Sequence, residues 1–179
     1  MKNLSYIFLI FIITSCTSTK VVMEDKPKVF PQDYFGAYYG KLKIDNGGNK
    51  QELDMEFHLQ ATDSIGKYAY TIVYGSGENR QERKYFLLEK NAAKGEYMVD
   101  EDNGILLNAK FSGNTLYSMF EVQGGLLTSR ESFFDDYMDF EITYSNKAQQ
   151  EKSGDKGEEI PEVISYPIMV VQTARLYKK

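Results

Sequence analysis

LDMEFHLQA, residues 53–61, decides the fold class of this chain. Leu53, Met55, Phe57, Leu59 and Ala61 take the odd positions, while Asp54, Glu56, His58 and Gln60 take the even ones. Successive side chains of a β-strand point to opposite faces. A period of two this regular therefore places one face in a core and the other in water. Asn46-Gly47-Gly48-Asn49 before the stretch and Asp63-Ser64-Ile65-Gly66 after it are turn signals, so the strand is bracketed on both sides.

Working outward, the same pattern recurs. Residues 34–45 alternate, with Tyr38, Gly40, Leu42 and Ile44 on one side and Lys41 and Lys43 on the other. Residues 67–74 place Tyr68, Tyr70, Ile72 and Tyr74 on one face. Short apolar stretches follow at 85–88 and 97–99. Longer ones follow at 105–111, 116–122, 126–134 and 138–144, separated by Gly-, Asn- or Asp-bearing turns. No stretch carries a convincing long amphipathic helix. Short turns make sequence neighbours antiparallel partners, which predicts an all-β, up-and-down antiparallel meander of about eight to ten strands. Residues 145–159, SNKAQQEKSGDKGEE, hold no aromatic or large aliphatic side chain and predict a mobile polar loop. A last strand is expected at 168–177. A meander leaves two unpaired edges, and the long loop lets the last strand return to the first. A closed barrel is therefore favoured over a sandwich.

The amino-terminal region has a different logic. Lys2 precedes an apolar run at residues 4–13, and the small residues Thr14 and Ser15 lead to Cys16, the only cysteine. The apolar run is too short to span a bilayer, which takes roughly 20 residues. It has the layout of a secretory signal peptide. Ile13-Thr14-Ser15-Cys16 resembles the bacterial lipobox, with isoleucine where leucine is usual. The resemblance implies removal of residues 1–15 and a diacylglycerol on the Cys16 thiol, hence a membrane partner through that anchor. It also implies a place in the cell envelope, and Thr17 in the position after the cysteine points to the outer membrane rather than the inner. Residues 16–33, with Pro27, Pro31 and scattered charges, read as a flexible tether, and residues 34–179 as the domain.

The 179 residues carry a formal charge of −5, which argues against a nucleic-acid partner, since that needs a basic footprint. Candidate chemistry is sparse. His58 is the only histidine and sits on the polar face of its strand, so a zinc site of the usual kind lacks ligands. Asp100-Glu101-Asp102-Asn103-Gly104 looks like a calcium loop, but Gly104 and Phe111 stand where oxygen ligands are required. It reads as a hairpin turn. Ser64-Ile65-Gly66-Lys67 matches a nucleophile motif that needs a helix, and here it spans a turn. No cofactor and no catalytic constellation is expected. The feature that stands out is the stripe of Tyr68, Tyr70 and Tyr74, whose rings could grip a small apolar ligand while their hydroxyls orient it.

Gly36-Ala37-Tyr38 and Arg175 together resemble the calycins, the lipocalins and their relatives. Those proteins open their first strand with Gly-x-Trp and pack an arginine of the last strand over that tryptophan; tyrosine replaces it here. The resemblance implies a barrel whose interior holds a small apolar molecule. Three functions follow in order of preference: an anchored ligand-binding barrel, a non-catalytic envelope interaction or scaffold protein docking a periplasmic or membrane partner, and an enzyme.

Overall fold

The computed structural model describes residues 27–154, 157 and 160–179. Cys16, the signal segment and the first part of the expected tether lie outside them. Ten strands close into one antiparallel barrel: β1 Gly36–Asp45, β2 Lys50–Ala61, β3 Lys67–Tyr74, β4 Gln81–Asn91, β5 Glu96–Asp100, β6 Leu106–Ser112, β7 Thr115–Val122, β8 Gly125–Phe133, β9 Tyr137–Asn146 and β12 Val170–Lys178. Each pairs with its neighbour in sequence, and β12 pairs with β9 on one side and β1 on the other. The expected meander and its closure are both present.

The alternation read from the sequence sets the inward face. Tyr38 opposite Phe57, and Leu42 opposite Leu53, share one side of the β1–β2 pair. Tyr38, Leu42, Met55, Phe57, Leu59, Leu87, Leu116, Phe133, Met138 and Leu176 are all buried. Gly40 lies between Tyr38 and Leu42, where a Cβ would run into the Arg175 carbonyl of β12. Glycine there lets the first and last strands approach closely enough to pair.

Two expectations about the chain's organisation change. The tether was expected to run to Asp33, but its last residues form part of the domain. Phe30 is buried and, with Tyr34 at the start of the expected domain, corks one end of the barrel. The Phe30 ring stacks on Phe111 at 3.9 Å and meets Tyr97 edge-on at 5.1 Å. The Tyr97 hydroxyl donates to the Phe30 carbonyl at 3.1 Å, and the Tyr38 hydroxyl to the Tyr34 carbonyl at 2.6 Å. A single aromatic among prolines and charges has no periodicity, so the segment read as a spacer. The second change concerns residues 145–159. Ser145 and Asn146 complete β9, Lys147–Gln149 forms one 3₁₀ turn, and β10 Glu151–Ser153 pairs with β11 Val163–Ser165. Backbone pairing organises part of a stretch whose side chains bury almost nothing.

The calycin-like arginine contact is also absent. Arg175 faces solvent, where it forms a two-pronged ion pair with Asp139 (2.8 and 2.9 Å) and lies over Tyr137. Tyr38 faces inward, and the cation nearest its ring is Lys178, at 5.7 Å. Odd and even residues of one strand cannot share a face, so Arg175 points away from the interior that Ala174 and Leu176 occupy.

Truncating the cork should cost as much as truncating a core aromatic. Phe30→Ala should destabilise the protein by about 3 kcal/mol or more. Val29→Ala, at an exposed neighbour, should change it by about 0.5 kcal/mol or less. Urea unfolding of both variants checks this.

Candidate functional site

The cork fills only one end. Towards the opposite end, where the β1–β2, β3–β4, β5–β6 and β7–β8 turns gather, the interior holds a cavity of about 290 Å³. Its walls are inward residues of successive strands: Tyr70 and Tyr74 of β3, Arg83 and Tyr85 of β4, Val99 of β5, Leu107 of β6, Ser118 and Phe120 of β7, Leu127, Ser129 and Glu131 of β8, and Phe140 and Ile142 of β9. A wider vestibule of about 580 Å³ shares Tyr74, Arg83, Leu127 and Ile142 with it and adds Leu42, Ile44, Leu53, Gln81 and Gln172. The vestibule joins the cavity to solvent.

The floor is aromatic. Tyr70 meets Phe57 edge-on at 4.8 Å, and Phe57 in turn contacts Phe133 and Tyr38. Tyr70 and Tyr85 stack at 6.5 Å across neighbouring strands, and the Arg83 guanidinium lies 5.8 Å over the Tyr74 ring near the mouth. Glu131 is the exception to this lining. It is only 2% exposed, and its cross-strand neighbours are Leu116 and Phe140, both fully buried. None of the ion pairs among the described residues includes it. Burial pushes its carboxyl up to about 7, and the neighbouring Tyr70 and Ser129 hydroxyls pull it part of the way back. Burial also raises Tyr70 well above the ordinary phenol value and Tyr74 to about 12, so both keep their hydroxyl protons at neutral pH.

The tyrosine stripe thus faces inward, but its members separate along the barrel. Tyr70 and Tyr74 line the cavity. Tyr68 lies at the corked end, where Gln32 donates to its hydroxyl at 3.0 Å and that hydroxyl donates to Glu89 at 3.1 Å. Gly36 opens β1, with the Lys178 side chain crossing the place a Cβ would occupy. His58 is on the outer wall, 3.0 Å from Glu56. Asp100 and Asn103 cap their own hairpin, accepting from the backbone amides of Asp102 and Ile105 at 2.9 Å.

Sequence reasoning missed Glu131 and Arg83. The fourth strand was expected to begin at Tyr85, because QERK, residues 81–84, is polar throughout; in fact β4 starts at Gln81 and carries Arg83 inward. Residues 126–134 were expected to be a strand, but Arg130 and Glu131 put one charge on each face, so composition does not choose between them. A signal was present in Phe133. It faces Met138 across the Asp135-Asp136 turn, and the residue two before it must share its face.

The buried carboxyl makes stability depend on pH in a defined direction. Its folded-state value, about 7, lies above the ordinary 4.5, so the unfolded chain ionises first. Stability should therefore fall as pH rises from 4.5 and level off above about 7. Glu131→Gln should remove that decline and be more stable than the parent at pH 8, by about 3 kcal/mol. Urea midpoints of both proteins at pH 4.5, 6 and 8 check it.

No family model and no curated protein matches the chain. Among solved structures, it is similar to a protein of unknown function from the DUF3598 family of Nostoc punctiforme PCC 73102, with a TM-score of 0.59 at 10% sequence identity. The match covers 86% of this chain and 51% of the other, so the chain spans about half the length of that neighbour. The likeness is one of fold: a closed antiparallel barrel.

Proposed function

We propose that this is a lipid-anchored protein of the bacterial cell envelope whose barrel holds a small, largely apolar ligand. The observation that carries the reading is the asymmetry of the interior. One end is packed solid by Phe30, Tyr34, Tyr97, Phe111 and Phe133, while the other keeps an aromatic-walled cavity that opens through a vestibule. A domain selected only to be stable gains by filling such a space, since each missing contact costs dispersion energy. The cavity's volume lies just below the roughly 300–1,000 Å³ of pockets that take drug-sized molecules, which favours a small ligand. The lipobox-like Ile13-Thr14-Ser15-Cys16 supports the anchor.

A second reading, a docking module for an envelope protein, draws on the outer wall. Tyr117 and Met119 of β7 are 44% and 67% exposed and border a surface groove with Thr128, Arg130 and Glu141. Native mass spectrometry of the protein gently extracted from its own membrane separates the two. A small-molecule adduct that disappears on denaturation supports the ligand reading, and a bare chain arriving with a second polypeptide supports docking. For the anchor, Cys16→Ala should move the protein from the membrane fraction to the soluble fraction. Retention at the membrane would overturn the anchor.

A further inference from the structure

Most of the cavity can be satisfied by any apolar molecule; Glu131 cannot. A carboxylate flanked by Leu116 and Phe140 has lost its water and forms no ion pair among the described residues. Removing a charge from water without a partner costs several kcal/mol, so a barrel that only stored hydrocarbon would be better served by leucine or glutamine at this position. The groups that face it from the packed strands are Tyr70, Tyr74 and Tyr85 from β3 and β4, Ser118 from β7 and Ser129 from β8. Arg83 and Glu101 stand nearer the mouth. Tyrosine faces carry negative quadrupole potential and attract organic cations. A carboxylate at the bottom, hydroxyls beside it and three tyrosine rings along the wall form one electrostatic design, and it favours positive charge arriving from the ligand.

We propose that the cavity is a recognition site for a small organic amine with an apolar or aromatic body, its ammonium seated against the Glu131 carboxylate and its body between Tyr70, Tyr74 and Tyr85. This rests on the reading of the barrel as a ligand-binding module and names the ligand class. The bound ammonium supplies the missing counter-charge, with the Tyr70 and Ser129 hydroxyls completing the carboxylate's hydrogen bonds. A simple fatty acid fits less well. Its carboxylate would have to pair with Arg83 at the mouth, which leaves its tail against the ionisable Glu131 on the floor.

The test uses the full chain reconstituted in phosphatidylcholine vesicles, with protein-free vesicles as the blank. Equilibrium dialysis measures 2-phenylethylamine, 2-phenylethanol and 3-phenylpropionate, which share a body and differ in the end group. At pH 8 the amine should bind about tenfold or more tighter than the alcohol, the scale of one charge-assisted hydrogen bond. The preference should shrink at pH 5.5, where Glu131 takes up a proton. Glu131→Gln should bind amine and alcohol alike at both pH values, which isolates the effect from Glu101 and the vesicle surface. Its unfolding midpoint, read alongside, shows that the fold is intact. Equal binding of all three probes would overturn the amine assignment while leaving the barrel a binding module. Tightest binding of 3-phenylpropionate, lost in Arg83→Gln, would overturn it in favour of an acid ligand. Binding of none of the probes would also overturn it, and the native-mass experiment then decides the wider reading separately.

Discussion

The structure depends on one act of closure: β12 pairs with β9 and β1 at once. Until that happens the meander has two open edges, whose backbone groups must find water or another chain. Once it happens, every barrel strand has a partner on both sides and alternation acquires a fixed meaning. Odd or even no longer means one face of a sheet but inside or outside. Gly40, at the β1–β12 seam, keeps that pairing close where any side chain would meet the Arg175 carbonyl.

Closure creates an interior whose two ends have different fates. The chain enters across one end, and residues around Phe30 and Tyr34 turn inward and fill it with stacked rings and hydrogen bonds to carbonyls. An aromatic cork of this kind buries a large area while its hydroxyls satisfy the backbone it covers. The other end is left to the turns, and there polar residues, Ser118, Ser129, Arg83 and Glu131, join the aromatic lining. The same β3 stripe therefore does two jobs. Tyr68 helps tie the cork through Gln32 and Glu89, while Tyr70 and Tyr74 line the cavity.

The charges divide along the same boundary. Outside, single-contact pairs such as Lys152–Glu162 and Arg130–Glu141 are half-exposed and solvent-screened, and they contribute little to stability. Inside, Glu131 is buried between Leu116 and Phe140, where its ionisation is costly.

Much of the architecture was legible because it is local. The period of two in residues 53–61, the turn residues between strands and the long polar stretch before the last strand are enough to derive an antiparallel meander and to argue for closure. The signal-like run and Cys16 are likewise statements about adjacent residues. What adjacency does not contain is which distant residues meet. Phe30 looked like spacer because its partners, Tyr97, Phe111 and Phe133, lie far along the chain. Arg175 looked like a partner of the first strand's aromatic until register put it on the outer wall. Glu131 was one of two adjacent charges in a strand whose sequence does not say which faces in. Sequence by itself determined the class of fold and the expectation of an address, since both follow from patterns within a dozen residues. Only the tertiary structure decided where the interior is full, where it is empty and which carboxylate stands in the gap, because burial is a property of the closed barrel and of no single strand.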